Sequence, residues 1–383
     1  MLVYLSKLTE YFSALNIFGY VTFRAFMGAG TAFVLSLLFG RWMIARLCRR
    51  RLGQVVRSGK EMEAIGHGRK SGTPTMGGLL IIFTCLASSV LWCNPANPQV
   101  WLVAATMLFM GGVGLWDDVL KLRKKDSKGL GEKQKLALQA LWVGLAFLWI
   151  QAVPGTREHV RELMVPFFKN PLVAHMSVAG ALVFMWLVIT GTTNAVNITD
   201  GLDGLAIGCT ASVVGAYLVL AYVAGNAVLA SYLLVPSISG SHELAVFCGC
   251  LLGSCLGFLW WNAYPAKVFM GDTGSLALGG TLAMVAILIK QELTLIIVGF
   301  VFVVEMASVI LQRNWFRYTR LRYGEGRRLF RMAPFHHHVE IISKEQARAE
   351  GRSADSAENS VVIRFWIVSL VCALLGLATL KLR

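Results

Sequence analysis

What most constrains this chain is a recurrence of apolar stretches, each long enough to cross a bilayer. About 20 predominantly apolar residues span the hydrocarbon core as a helix, and runs of that kind lie at roughly 22–47, 75–93, 99–117, 134–153, 173–196, 203–224, 243–261, 273–290, 292–312 and 361–380. They predict an all-α, polytopic membrane protein of about ten transmembrane helices, organised as one membrane domain over 1–383. A transmembrane β-barrel would show short segments of alternating polarity instead. Only 15% of the residues are charged, against about 25% in soluble domains. The first 18 residues carry Lys7 and Glu10 inside their apolar part and no clear cleavage site. They read as an amphipathic lead-in helix rather than a signal peptide. The eight cysteines lie almost wholly in or at the ends of the apolar runs with no CxxC pair, which predicts packing rather than disulfides or a zinc site.

The formal net charge of +15 is unevenly placed. Connections after the odd-numbered runs carry most of the Lys and Arg, and those after the even-numbered runs, with both termini, carry few. The positive-inside rule then makes the first set cytoplasmic and both termini periplasmic. Cations tied to membrane edges serve topology and attraction to anionic lipid head groups, so membrane lipids are expected partners and nucleic acid is not.

The inner connections are dense in groups that cost free energy beside a membrane unless used. The first ends in "HGRKSGTPTMGG" (67–78), where glycines permit close backbone approach and Lys70, Thr73 and Thr75 supply donors. It reads equally as a phosphate cradle or as a turn before a helix. The second opens with "LWDDVLKLRKKDSKGLGEKQK" (115–135), placing Asp117 and Asp118 at the inner end of a run, against a basic rim. Adjacent helical residues point about 100° apart, so the two can border one cleft without sharing a ligand position. The third, "NAVNITDGLDGLA" (194–206), holds Asn197, Asp200 and Asp203. One acid would suffice to cap the next helix. In the fourth, "WNAYPAKVFMGDTGS" (261–275), Asp272 sits in a turn just before a run, where an N-cap is the plain role and anion attraction another. The fifth, 313–360, interleaves arginines with aromatics and then gives "APFHHHVE", with His336, His337 and His338 in a row. Three consecutive histidines cannot all face one metal from a regular helix, so the cluster reads as a turn or a partial ligand set. Carboxylates with glycine-rich turns suit a hard cation, magnesium best, which keeps waters and phosphate oxygens among its ligands. The residues thus point to phosphate chemistry at the cytoplasmic interface.

Taken together and in order, "SGTPTMGG", "WDD", "NAVNITDGLDGLA", "NAYPAKVFMGDTGS" and "PFHHH" resemble the phospho-N-acetylmuramoyl-pentapeptide transferase family, within the superfamily that moves sugar-1-phosphates onto polyprenyl phosphate. The resemblance runs from about residue 17 to 369. It implies a multi-pass homodimer of the bacterial cytoplasmic (inner) membrane with Mg²⁺ as cofactor. The implied reaction passes phospho-MurNAc-pentapeptide from UDP-MurNAc-pentapeptide to undecaprenyl phosphate, giving lipid I and UMP. Carried onto this sequence, Asp272 is the implied magnesium ligand. Asp117 is implied to deprotonate or orient the lipid phosphate, with Asp118 in support. Asn197, Asp200 and Asp203 form the implied nucleoside-side loop. Lys70, Thr75, Asn262, Phe269 and Gln312 are implied to line the uridine and diphosphate pocket, and either Lys133 or Lys135 to face the diphosphate. His336 joins the implied catalytic set, while His337 and His338 would help recognise the sugar phosphate. The segment from Glu340 to Ile363 departs from the family pattern, being longer and lacking a Gly-Trp pair. Two other readings compete. One is a UDP-GlcNAc:polyprenyl-phosphate transferase. The other is a lipid-linked anion transporter, which would place charges near the middle of its runs; Arg24, Glu305 and Arg364 are the main ones there.

Overall fold

The computed structural model describes residues 1–49, 73–124, 129–153, 156–157, 159–351 and 353–382. In chain order its helices are α1 (Val21–Arg49), α2 (Gly78–Trp92), α3 (Pro98–Lys124), α4 (Glu132–Ala152), α5 (Val178–Thr199), α6 (Leu205–Ala224) and α7 (Ala227–Tyr232). They continue as α8 (His242–Asn262), α9 (Gly271–Leu288), α10 (Thr294–Val298), α11 (Phe300–Tyr323), α12 (Phe335–Ala349) and α13 (Ala354–Ala378). The all-α expectation holds; among the described residues the β-like pairing outside helices is one isolated antiparallel bridge, Leu163 to Val173.

Among the described residues, eight helices are long and apolar enough to cross a membrane: α1, α3, α4, α5, α6, α8, α9 and the C-terminal one. The other two expected spans differ for local reasons. α2 has 15 residues, because Met76 just before it turns at φ +70° and the flanking backbone is bonded elsewhere: Phe269 donates its N–H to the Pro74 carbonyl, and Gly77 and Gly78 donate theirs to the Phe269 and Met270 carbonyls, at 2.8–2.9 Å. The expected run at 292–312 breaks at Gly299, where α10 stops and α11 begins. The lead-in is two 3₁₀ segments, Leu2–Leu8 and Ser13–Gly19, rather than one amphipathic helix. Phe12 between them is extended, with φ −150°. Phe18 then stacks on Trp92 at 6.0 Å.

Helices that are apolar all round belong in the interior, and α9 is the clearest case. Its apolar window is 89% buried, against 28% for α1 and α5. It lies between α2, α3 and α5, with Gly279 against Thr193 and Gly280 against Met110. α1 and α8 pack equally closely by another device. Gly249, Gly253 and Gly257 recur every fourth residue on α8 and face Ala25, Ala29 and Ser36. Small residues at that spacing let backbones approach where lipid offers no hydrophobic drive. At one end of this pair Arg24 and Glu243 form a buried ion pair, at 2.6 and 2.8 Å. Arg24 also donates to the Trp92 carbonyl, and Glu243 accepts the Asn94 N–H, so α1, α2 and α8 are locked together there. The sequence motifs gather at the opposite end.

Candidate active site

Asp117 and Asp118 do not end their helix; α3 continues for two turns to Lys124. Asp117 therefore has an i+4 partner, Lys121, whose Nζ lies 2.6 Å from Asp117 Oδ2 and 3.1 Å from Asp272 Oδ1. Lys135, from the first turn of α4, lies 3.1 Å from Asp117 Oδ1 and 2.7 Å from Asp272 Oδ2. Two lysines thus bridge the same two carboxylates from opposite sides. Lys133 is exposed, so Lys135 is the lysine that faces the cluster. Asp117 Oδ1 also accepts the Leu130 N–H at 2.6 Å. The turn that permits this contains Gly129, at φ +50°, whose added Cβ would lie 2.9 Å from Asp117 Cγ.

Asp118 does different work. Its Oδ1 accepts the Asp272 N–H at 3.2 Å, and its Oδ2 accepts the Thr273 N–H at 3.0 Å and the Thr273 hydroxyl at 2.7 Å. The first N–H groups of a helix have no partner within it, and here an acid from α3 caps α9 across the helix–helix contact. Asp272 is accordingly in the first turn of α9 rather than in a loop, where a negative charge favours the helix dipole. The approach is set by glycines. Gly271 has φ +72°, and a Cβ on it would meet Asp118 Oδ2 at 2.7 Å and Thr75 Oγ1 at 2.9 Å. A Cβ on Gly114 of α3 would lie 2.5 Å from the Asp272 carbonyl carbon and 2.7 Å from Thr273 Cα.

The consequence is a triad. Asp117, Asp118 and Asp272 each offer an oxygen, all within 4.8 Å of one another. The 100° spread on α3 does not prevent a shared ligand position, because Asp272 sits between the two directions. The residues fit a divalent ion: an all-oxygen donor set of three carboxylates, gathered within reach of one another and facing two ammonium groups. Asn197, near the end of α5, donates to Asp272 Oδ1 at 3.0 Å and to Ser275 Oγ at 2.8 Å.

The turn after α5 joins this cluster to α8. Asp200 follows α5 directly and is partly buried. Burial, then the charges of Asp272, Asp118 and Asp203, push its carboxyl up to about 7 against the help of the Gly271 N–H. Neither acid caps α6; Gly204 at φ +78° occupies that position without a side-chain cap. Asp203 instead accepts the Ala266 N–H at 3.0 Å. Asn262 accepts the Gly204 N–H at 3.1 Å and donates to the Val268 carbonyl at 2.8 Å. Asp203 and Asn262 thereby hold the 200–204 turn and the 263–268 segment in register. Thr75 is buried beside Gly271, Phe269 is partly buried, and Lys70 lies outside the described residues.

The three histidines separate, as the helix period requires. All three lie in the first turn of α12. The imidazole of His336 is fully buried, with Nδ1 3.0 Å from Glu305 Oε2 of α11. Burial holds its pKa below the ordinary histidine value, with Glu305 pulling the other way. His337 Nδ1 is 2.9 Å from Glu340 Oε2, and Lys344 donates to Glu340 Oε1 at 2.6 Å. Burial alone would raise the Glu340 carboxyl, but His337 and Lys344 hold it down at about 2. His338 Nδ1 accepts the Arg331 N–H at 3.3 Å. The segment that departs from the family pattern continues as α12 and then α13, tied by Lys344 to Glu358 at 3.5 Å. Gln312 stays apart from the carboxylates: it accepts the Leu329 and Phe330 N–H groups and donates back to the Phe330 carbonyl, shaping the loop before α12.

Sequence reasoning passed over Lys121, Thr273 and Ser275, and noted Glu305 only as a charge within a run. The Asp-x₃-Lys spacing at 117–121 signals an i,i+4 pair once α3 is taken past residue 117.

A family model described as Glycosyl transferase family 4 matches residues 100–290, the stretch that carries the three carboxylates, both lysines and the acidic turn, which makes the bundle a membrane-helix glycosyl transferase. A second, described as phospho-N-acetylmuramoyl-pentapeptide-transferase signature 1, matches residues 70–82. Curated relatives carrying the name phospho-N-acetylmuramoyl-pentapeptide-transferase cover both chains almost end to end. That of Methylacidiphilum infernorum is 47% identical over 387 residues, 100% of each chain. That of Desulfotalea psychrophila is 47% identical over 375 residues, 97% of each. That of Neisseria meningitidis serogroup C is 43% identical over 386 residues, 100% of each. The chain belongs to the phospho-N-acetylmuramoyl-pentapeptide-transferase family.

Proposed function

We propose that this protein transfers phospho-MurNAc-pentapeptide from its UDP carrier to undecaprenyl phosphate, releasing UMP and leaving lipid I in the bacterial inner membrane. The observation that carries the reading is the Asp117–Asp118–Asp272 triad with Lys121 and Lys135 wedged between two of its members. Phosphoryl transfer asks for charge neutralisation and in-line positioning more than for covalent help, and this cluster is built for both.

The triad is the fitting place for Mg²⁺, with Asp272 as the central ligand. Held there, Mg²⁺ would supply charge neutralisation for the diphosphate and for the leaving UMP. Three carboxylates and two ammonium groups carry a net single negative charge, so the lysines are free to exchange carboxylate for phosphate partners when a cation and a diphosphate arrive together. Asp117 orients the lipid phosphate oxygen that attacks the β-phosphorus. A new P–O bond forms there as the bond to the bridging oxygen breaks, and that oxygen leaves on UMP. Asp118 is engaged by three donors from α9, which suits it to holding Asp272 in place rather than to moving a proton. Direct attack by the lipid phosphate is preferred over an aspartyl-phosphate intermediate, since both acids of α3 are already bonded within the cluster. The Asp200 turn, Asn262, Phe269 and Thr75 would receive the uridine side, with the cluster facing the cytoplasm and both termini outward. A homodimer is expected.

The experiment is UMP release by the purified protein in detergent with undecaprenyl phosphate, offering UDP-MurNAc-pentapeptide or UDP-GlcNAc. Release from the pentapeptide substrate alone, abolished without divalent metal and in Asp272→Asn and Asp117→Asn, supports the reading. Release from UDP-GlcNAc reassigns the sugar. No release from either substrate by folded protein overturns the transferase assignment for this chain.

A further inference from the structure

Glu305 is a carboxylate inside a largely apolar helix, fully buried. Among the described residues the groups that meet it belong to one neighbour. The His336 backbone N–H donates to Oε1 at 3.0 Å and approaches Oε2 at 3.3 Å, and the His336 ring nitrogen Nδ1 lies 3.0 Å from Oε2. A buried charge persists only when paired or well hydrogen-bonded, and here both partners come from the same residue at the start of α12. The other ring nitrogen has the opposite surroundings. His336 Nε2 is buried and has no hydrogen-bond partner. It faces Gly201, in the turn between Asp200 and Asp203. A Cβ there would come 2.8 Å from His336 Cε1 and closer still to Nε2. Glycine at 201 makes room for the ring nitrogen beside that turn.

Which nitrogen holds the proton follows from the partners. A carboxylate only accepts, so the Nδ1–Glu305 contact requires the hydrogen on Nδ1. The ring is then the neutral Nδ1–H tautomer, with a lone pair on Nε2. The unpartnered state of Nε2 agrees, because orphaned buried N–H groups are rarer than under-used acceptors. Buried polar atoms left without partners ask for a functional explanation.

We propose that Glu305 is a positioning residue that locks His336 in the Nδ1–H tautomer, so that Nε2 meets the substrate at the Gly201 turn as a hydrogen-bond acceptor and not as a phosphate donor. The group it accepts from is a hydroxyl or amide N–H of the sugar moiety. This assignment rests on the transferase reading for its substrate, but the tautomer itself does not.

The test separates the two. Protein with ¹⁵N-labelled histidine is examined by NMR, with the His336 signals identified by their loss in His336→Asn. The expected spectrum has hydrogen on Nδ1 and an unprotonated Nε2. Hydrogen on Nε2 in the unmodified protein overturns the proposal, whatever the activity. Glu305→Gln keeps the shape. With its carbonyl held by the His336 backbone N–H, its NH₂ faces Nδ1 as a donor, which moves the hydrogen to Nε2. That variant is expected to unfold at the temperature of the parent and to lose about 10- to 100-fold in kcat for UMP release, as orienting partners of functional histidines typically do. KM for undecaprenyl phosphate, which this nitrogen does not touch, stays unchanged. A Glu305→Gln protein with inverted tautomer and parental kcat and KM refutes the role of Nε2. One whose tautomer is unchanged refutes the role of Glu305. Absence of UMP release by the parent would remove the substrate assignment while leaving the tautomer result standing.

Discussion

The contact between α3 and α9 offers a sharp test of how the triad is held. Replacing Gly114 by alanine adds one methyl group, which would lie 2.5 Å from the Asp272 carbonyl carbon and 2.7 Å from Thr273 Cα. Carbon atoms rest at about 3.5–4.0 Å, and the obstruction is backbone, so relief means parting the helices by about 1 Å. Gly112, two residues earlier on the same helix, has nothing within 4 Å of its added Cβ. Both changes gain about 1 kcal/mol of helix propensity. At 112 that gain stands alone. At 114 it is set against about 1–3 kcal/mol of overpacking, leaving a loss of up to about 2 kcal/mol. Activity should suffer more than stability, since a displacement of about 1 Å in positioned reacting groups costs about 100-fold. The assay is UMP release beside thermal unfolding in the same detergent. A Gly114→Ala protein within about threefold of Gly112→Ala in kcat would refute the claim that backbone contact sets the position of Asp272.

Other outcomes follow from the same geometry. Lys135→Ala should lose about 10²–10³-fold in kcat, as groups stabilising developing charge do, while Lys133→Ala stays near parental; equal effects would remove Lys135 from the cluster. Arg24→Ala leaves Glu243 buried without its cation and should destabilise the fold by about 3–5 kcal/mol, read as a lower unfolding temperature with specific activity of the folded fraction preserved. Asp200, with its carboxyl pushed up to about 7, is about half protonated at that pH. A cation arriving at the triad favours the charged form and lowers that pKa. Binding of Mg²⁺ near pH 7 should therefore release up to about half a proton, and none at pH 9. Calorimetry in buffers of different ionisation enthalpy measures this, and Asp200→Asn should abolish it.

The helical bundle was legible because each run of apolar residues has one stable solution in lipid, and residues 99–117 or 243–261 offer no competing pattern. Boundaries were less so. α3 runs past Asp117 because Lys121 and Lys124 extend it into the interface, where hydropathy stops reporting helix. α2 starts late because the chain around Pro74 pairs with Phe269, a contact nearly 200 residues away that no local window carries. The motifs announced most of the residues that cluster around Asp272, yet their division of labour was hidden. The adjacent acids Asp117 and Asp118 look alike in sequence. Only the crossing with α9 makes one a partner of lysines and the other a cap. Gln312, expected in the uridine pocket, also braces the 329–330 backbone, a role that the sequence did not suggest. Glu305 stood out only as an oddity in an apolar run, since its meaning depends on α12 folding back over α11.

The salt links of α12 have a practical side. Lys344 holds Glu340 within its own helix and reaches Glu358 on the next, so both ends of the connection around Gly351 are fastened independently of its length. Gly351 is exposed, at φ +68°, with open space around its α-carbon. Each doubling of a connection already closed at both ends adds only about 0.6 kcal/mol of closure entropy. Position 351 is therefore the place to graft a fluorophore-accepting peptide or an affinity handle onto this enzyme, leaving the histidines one helix away undisturbed.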